Sequence, residues 1–144
     1  ERERCEKLTS ELGLKRVTFY GKKPLEEMPA YYQKADAMLV SLMKDPVLSL
    51  TLPGKVQTYM AAGKPLICSA DGETAGVVRG AHCGLCSGAE NVQLLAEKVR
   101  KFCLDVGADA KRKYAENSAE WYRKNFTGEI FFDGLEKALA ERAT

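Results

Sequence analysis

The chain has 144 residues, of which 45% are hydrophobic and 29% charged, and its formal net charge is +2. This balance is typical of one soluble globular domain with a sizeable core, and it excludes a protein that relies on a strongly basic surface to bind nucleic acid. No apolar run approaches the roughly 18 residues of a membrane-spanning helix. The chain opens with Glu1 rather than Met and shows no signal peptide, so we expect a piece of a longer, cytoplasmic protein.

Helical and strand patterns alternate along most of the chain. A first helix ends at Gly13, and later patterns predict strands over 16–20, 37–43, 65–69 and 83–87 and helices over 25–34, 53–62, 73–79 and 91–106. From residue 108 onward the pattern is helical, with a break at 126–128. Short apolar strands that alternate with helices indicate a mostly parallel sheet with helices on both faces. The predicted fold class is therefore a three-layer, Rossmann-like α/β domain with a helical C-terminus.

The five cysteines include one Cys-x-x-Cys pair, Cys83 and Cys86. An odd number of cysteines in apolar surroundings indicates reduced thiols. A tetrahedral zinc site needs four ligands, yet His82 is the single histidine and no second pair exists. We therefore expect no metal site, and interpret the pair as small hydrophobic residues on a buried strand rather than as a metal or redox centre.

The loops that follow strands are where ligands bind in such sheets. Three loops qualify, over 21–24, 44–55 and 70–74. The second is about twelve residues long, beyond the usual length, and it ends in Pro53, Gly54 and Lys55 at a helix start. Free N–H groups and a lysine at a helix N-terminus suit a diphosphate. An ordinary helix cap with a solvated lysine fits this pattern equally well.

The segment over 52–67, with the sequence LPGKVQTYMAAGKPLI, resembles the signature of the family 4 (group 1) retaining glycosyltransferases of the GT-B type. That signature has a Pro-Ser-Lys start, a helix containing Met-Ala, and Gly-Lys-Pro before an apolar strand. Further similarity lies over 17–21, 32–41, 71–73 and 83–85, so the resemblance covers roughly residues 5–126.

The resemblance implies an enzyme of two Rossmann-like domains with the active site between them. This chain resembles only the C-terminal domain, so we expect residues 1–144 to form a single donor-binding domain without the N-terminal acceptor domain. The full-length protein would transfer a sugar from a UDP- or GDP-sugar to a glycan or lipid-linked acceptor in polysaccharide biosynthesis, without a metal cofactor. It would be cytoplasmic and could lie at the inner face of the membrane. No catalytic residue is identified, and we expect the fragment alone to be inactive.

By the same resemblance, one segment contacts the diphosphate and sugar: Ser49, Leu50, Thr51, Leu52, Pro53, Gly54 and Lys55. Gly21 and Lys22 would lie beside the base.

Two departures from the family pattern affect the donor site. Gly54 stands where the signature has serine, so that hydroxyl is missing. Leu50 and Thr58 stand where many members have two glutamates eight positions apart. Thr58 can still hydrogen-bond a ribose hydroxyl. Glu73 either replaces a glutamate contact or only stabilises the start of its helix, whereas Asp71 beside it fits a turn rather than a metal ligand.

Two other classes of protein share this type of fold. A GT-B nucleotide-sugar epimerase half would need acid and base residues, which we cannot place here. A non-catalytic, flavodoxin-like signalling domain of the receiver type would need an acidic cluster after its first strands, where this chain has Gly21, Lys22 and Lys23.

The last helical segment, over 128–144, carries an apolar stripe. Phe131, Leu135 and Leu139 follow one another at a spacing of four residues, with Ile130 and Phe132 beside them. This is more apolar surface than a solvated terminal helix normally shows. We expect part of the stripe to face the N-terminal domain, although it could instead complete the core of this domain.

Overall fold

The computed structural model describes residues 1–142 as helices packed around one small sheet. Three strands form the sheet: β1 (Met38–Ser41), β2 (Leu66–Ser69) and β3 (Gly84–Ser87). The helices are α1 (Arg2–Glu11), α2 (Met28–Lys34), α3 (Pro46–Ser49), α4 (Gly54–Ala61), α5 (Gly72–Gly80), α6 (Val92–Leu104), α7 (Ala108–Asn125) and α8 (Gly128–Arg142), and one 3-10 turn (Leu25–Glu27) precedes α2.

All three strands are parallel and lie in the order β1-β2-β3, which confirms the predicted parallel sheet. Every residue of the central strand β2 is buried. Cys68 pairs with Val40 of β1 and with Cys86 of β3, so the strands are in register at their centres. The parallel arrangement places the carboxyl ends of all three strands at one edge of the sheet, where the loops of interest begin.

Helices cover both faces of the sheet, as the sequence predicts. Val40, Leu66 and Cys68 belong to one buried cluster that also contains Val56 and Met60 of α4. Ile67 is buried too, and the alternation of side chains along a strand directs it to the opposite face. Helix α6 packs against β2 and β3, and its single buried residue lies outside that cluster. The predicted three-layer α/β class is therefore confirmed.

The strand predicted over 16–20 is wrong. These residues lie in an irregular, exposed segment between α1 and the 3-10 turn, and Tyr20 is 63% exposed. Their β-branched and aromatic side chains suit a strand, but a strand also requires a neighbouring strand to bond with its backbone. Within residues 1–142 the sheet ends at β1, so the segment has no such neighbour.

Helix boundaries elsewhere follow local sequence signals. Asn91 caps α6 as predicted, because its side-chain oxygen accepts a hydrogen bond from the Leu94 N–H at 2.9 Å. Gly63 follows α4 with a φ of 62°, the left-handed conformation that glycine tolerates. The predicted break at 126–128 separates α7 from α8.

Helix α7 holds the turn between α4 and β2 in place. Ser118 is fully buried, and its hydroxyl donates a 2.7 Å hydrogen bond to the Lys64 carbonyl. The Lys64 ammonium donates to the Gln33 carbonyl at 3.0 Å, which ties the same turn to α2. The Gly-Lys-Pro segment therefore has a structural role at the end of the sheet opposite the candidate site.

The final helix, α8, lies on the surface next to α7. The apolar side chains of its stripe are between 38% and 65% exposed: Ile130, Phe131, Phe132, Leu135 and Leu139. Within residues 1–142 the stripe therefore does not complete the core.

Candidate anion site at the carboxyl edge of the sheet

The segment over 42–53, here called the edge loop, connects β1 to α4 at the carboxyl edge of the sheet. It is not fully irregular, because it contains the short helix α3. Asp45 caps this helix by accepting hydrogen bonds from the N–H groups of Val47 at 2.8 Å and Leu48 at 2.9 Å. Pro46 occupies the first turn, where a missing N–H costs nothing.

The first turn of α5, which follows β2, and the loop after β3 hold the edge loop at three points. Near its start, the Lys44 N–H donates to the Glu90 carboxylate at 3.2 Å. Near its end, the Thr51 carbonyl accepts a 2.9 Å hydrogen bond from the Thr74 hydroxyl. Between them, Gly72 lies so close to Ser49 that a Cβ at position 72 would overlap the Ser49 carbonyl.

The two outer loops are also joined to each other. The Asp71 carboxylate accepts a hydrogen bond from the Ala89 N–H at 3.2 Å, which links the start of α5 to the loop before α6. The Ser69 hydroxyl donates to the Gly88 carbonyl at 3.2 Å in the same region. All three loops at this edge therefore form one hydrogen-bonded structure.

Helix α4 begins without a side-chain cap. Pro53 occupies the cap position and has no side-chain acceptor, whereas α3 and α6 are capped by Asp45 and Asn91. Within residues 1–142 the N–H groups of Gly54 and Lys55 have no hydrogen-bond partner. These N–H groups, the helix dipole and the exposed Lys55 together make this helix start electropositive and able to donate hydrogen bonds to an anion.

The hydroxyl groups around this helix start donate to their own chain. Ser49 donates to the Pro46 carbonyl at 2.7 Å, and Thr51 donates to the Leu48 carbonyl at 2.9 Å. On α4, Thr58 donates to the Gly54 carbonyl at 3.1 Å. Each oxygen can still accept a hydrogen bond, but it would have to rotate before it could donate to a phosphate. Among the residues that the structure describes, the donors left free around this helix start are the two N–H groups and Lys55.

The other residues expected at the site differ in exposure. Leu52 and Pro53 are half-buried, whereas the Leu50 side chain is 82% exposed. Glu73 is exposed in the first turn of α5, which also lacks a side-chain cap because Asp71 accepts from Ala89 instead. A carboxylate at this position interacts favourably with the helix dipole and remains available to a ligand.

Gly21 and Lys22 are not joined to the edge loop. A Cβ at Gly21 would lie 3.0 Å from Nη1 of Arg2, which places this glycine against α1. Lys22 is exposed, and no hydrogen bond or ion pair of the described residues links either position to the edge loop. The structure thus brings the segment over 49–55 together with the start of α5 and leaves the two residues expected beside the base on a separate segment.

Two residues with a part in this region were not predicted from sequence, Thr74 and Glu90. Thr74 is fully buried, and Glu90 has a φ of 59°, which is uncommon outside glycine. Their partners in the edge loop lie 23 and 46 residues away in sequence. No local pattern signals contacts at that distance.

The three cysteines near the sheet are free thiols with shifted acidities. The neighbouring Cys86 thiol raises the pKa of the Cys68 thiol, and burial raises it further, whereas the Cys68 thiol lowers the pKa of Cys86. Burial raises the pKa of Cys83 to about 11. In the part of the chain that the structure describes, no three potential ligands among His, Cys, Asp and Glu are grouped to hold a metal ion.

The sequence matches the family model described as Glycosyl transferases group 1 over residues 1–121. The chain belongs to this family. Its fold matches a solved structure of the sucrose-phosphate synthase from Thermosynechococcus elongatus with a TM-score of 0.79 and 26% sequence identity. The match covers 99% of this chain and 35% of the synthase chain, so this chain spans about a third of that protein. No curated protein sequence matches.

Family membership bears on the alternatives left open by the sequence. A match over residues 1–121 supports a glycosyltransferase domain and favours neither an epimerase half nor a signalling domain. The similarity to the synthase also agrees with the observed α/β architecture. Across residues 1–142, none of the helices has the length and apolar character needed to cross a membrane.

Proposed function

We propose that this group 1 glycosyltransferase domain binds the diphosphate of a nucleoside-diphosphate sugar at the start of α4. The uncapped helix start is the observation that carries the proposal. The N–H groups of Gly54 and Lys55 lack partners at the carboxyl edge of a parallel sheet, which is where ligands bind in such folds.

The chemical role of this site is to stabilise the leaving diphosphate. When the bond between the sugar and the diphosphate breaks, negative charge builds up on the phosphate oxygens. Preorganised N–H groups and the Lys55 ammonium offset that charge with little rearrangement. We propose that these protein groups stabilise the diphosphate without a metal ion. The sugar is transferred with retention of its anomeric configuration.

The remaining donor contacts extend the proposal outward from α4. The donor is a UDP- or GDP-sugar, a hexose derivative. Thr58 lies one turn along α4 and can accept a hydrogen bond from a ribose hydroxyl, while Glu73 offers a carboxylate from α5. Gly21 and Lys22 would lie beside the base, which requires their segment to approach the edge loop.

A second domain completes the enzyme in this proposal. It binds the glycan or lipid-linked acceptor across the cleft. The match covers 35% of the synthase chain, so most of that protein lies outside the matched region. The exposed stripe on α8 is the surface we assign to that domain: Phe131 is 65% exposed and Leu139 61% exposed. Stronger hydrogen-exchange protection of residues 130–139 in a two-domain protein than in this chain would support the assignment, and equal protection would contradict it.

A thermal-shift assay with uridine and guanosine diphosphate tests the proposal and separates it from a signalling domain. A ligand that binds the native state at about 100 times its Kd stabilises the fold by about 2.7 kcal/mol. We expect one of the two nucleotides to raise the Tm of the wild-type chain. Lys55→Ala should reduce this rise, whereas Lys101→Ala, an exposed lysine near the end of α6, should not.

The controls for this assay use other anions. Inorganic phosphate at the same concentration should stabilise the chain less than the nucleoside diphosphate. No stabilisation by either nucleotide, or an unchanged rise in Lys55→Ala, would contradict the proposed site.

A further inference from the structure

We propose that Thr74 is a positioning residue for the diphosphate site, because its hydroxyl fixes the part of the edge loop that leads into α4. This inference rests on the proposed function. Thr74 lies in the first turn of α5 and is fully buried. Its Oγ1 donates a hydrogen bond of 2.9 Å to the Thr51 carbonyl, which comes just before the start of α4.

The direction of this hydrogen bond is informative. A threonine hydroxyl in a helix commonly bonds to a backbone carbonyl three or four residues earlier in its own helix. Thr58 makes such a bond, to the Gly54 carbonyl, and Thr51 in the edge loop makes a similarly local bond, to the Leu48 carbonyl. Thr74 instead bonds to a carbonyl 23 residues away, so it connects two elements that no other side-chain hydrogen bond of the described residues joins.

Few backbone hydrogen bonds restrain the segment that Thr74 holds, although Leu52 within it packs against the core cluster. Between Thr51 and α4 the chain passes through Leu52 and Pro53, and proline has no N–H with which to anchor the backbone. The Thr51 N–H bonds back to Leu48, within the edge loop itself. Val56 and Met60 hold α4 against the core, and the link from Thr51 to α5 adds a restraint on the chain that leads to the free N–H groups of Gly54 and Lys55.

A second contact of α5 acts on the same segment. Gly72 has a φ of 61° and lies directly against the Ser49 carbonyl, where a Cβ would overlap it. Ser49 and Thr51 thus both rest on the first turn of α5, one by close packing and one by a hydrogen bond. At the other end of the edge loop, Glu90 holds the Lys44 N–H. The loop is preorganised before any ligand arrives, which reduces the ordering cost of binding.

The experiment compares Thr74→Val with Thr74→Ser in the complete 144-residue chain. Valine has nearly the same shape but no hydroxyl, so the Thr51 carbonyl loses its donor, whereas serine keeps the donor. NMR amide shifts and exchange rates over 49–55 report the position of the loop. Titration with uridine and guanosine diphosphate reports binding, and urea unfolding shows that each variant is folded.

We expect Thr74→Val to change the amide signals over 49–55 and to weaken nucleotide binding about fivefold, the effect of one lost hydrogen bond. Thr74→Ser should restore both. A merely structural role would lower the stability of the valine variant and leave the affinity of its folded form unchanged, and that result would overturn the inference. Should the valine variant fail to fold, Thr74→Cys replaces it, with a weaker donor and an intermediate loss of affinity expected.

The design separates this inference from the proposed function. Wild-type protein that binds neither nucleotide would refute the proposed function. The amide signals over 49–55 would still decide the positioning role, because unchanged signals in Thr74→Val overturn it and altered signals support it. Wild-type and Thr74→Val chains that bind with equal affinity would leave the function standing and refute the inference.

Discussion

Gly63, which ends α4 in a left-handed conformation, gives a quantitative test of the fold. Its φ is 62°, a region that costs other L residues roughly 1–2 kcal/mol. A Cβ added there would lie 3.7 Å from the Cβ of Ala119 and 3.8 Å from the Ala115 carbonyl oxygen, which is ordinary contact. Steric crowding therefore adds little. We expect Gly63→Ala to lower the free energy of unfolding by about 1–2 kcal/mol and the Tm by about 3–6 °C.

Gly76 provides the matched control for this substitution. It lies within α5, it is exposed, and a Cβ there meets nothing within 4 Å. Replacing a glycine inside a helix by alanine stabilises the fold by roughly 0.5–1 kcal/mol. The two substitutions should therefore have opposite signs in urea unfolding followed by circular dichroism. If the Gly63→Ala chain were as stable as the wild type, this would contradict the left-handed conformation of Gly63 after α4.

Three further predictions concern the core, the thiols and the activity. Ser118→Ala should lower the free energy of unfolding by about 1–2 kcal/mol, because the Lys64 carbonyl loses a buried donor at 2.7 Å. The control substitution Ser10→Ala, on the exposed helix α1, should change the free energy of unfolding little. Equal effects of the two substitutions would contradict the buried hydrogen bond. Burial raises the pKa of Cys83 to about 11, so near pH 8 its thiol stays protonated and should resist iodoacetamide, while the exposed Cys103 is labelled. Mass spectrometry reads the labels, and full labelling of Cys83 in the folded chain would count against its burial. The 144-residue chain should neither hydrolyse nor transfer a nucleotide sugar at a useful rate, because the acceptor side of the cleft comes from another domain in our proposal; robust turnover by the purified chain would refute this.

The elements that sequence predicted well are those specified by local pattern. The strand predicted over 65–69 is β2, because a short apolar run buried on both faces is typical of a central parallel strand. The cap at Asn91 and the break at 126–128 also depend on neighbouring residues only. Asp45 before Pro46 is also a local signal for a helix start, and the structure has α3 there, inside the segment that the sequence predicts as a long loop.

What the sequence could not predict depends on distant partners. The segment over 16–20 has strand composition, yet it is not a strand because no neighbouring strand stands beside it in the described residues. The resemblance assigns Ser49 and Thr51 to the donor site, and only the structure reveals that both hydroxyls donate to their own backbone. The hydrogen bond from Thr74 spans 23 residues, and its direction follows from packing rather than pattern.

An NMR titration of the 144-residue chain with uridine and guanosine diphosphate tests the central claim most directly. The diphosphate is expected at the uncapped start of α4, next to the free N–H groups of Gly54 and Lys55. Our account predicts saturable shifts over 49–58, with the largest at those two amides, and a weaker response in Lys55→Ala. Shifts confined to surfaces remote from 49–58, or none with either nucleotide, would contradict it.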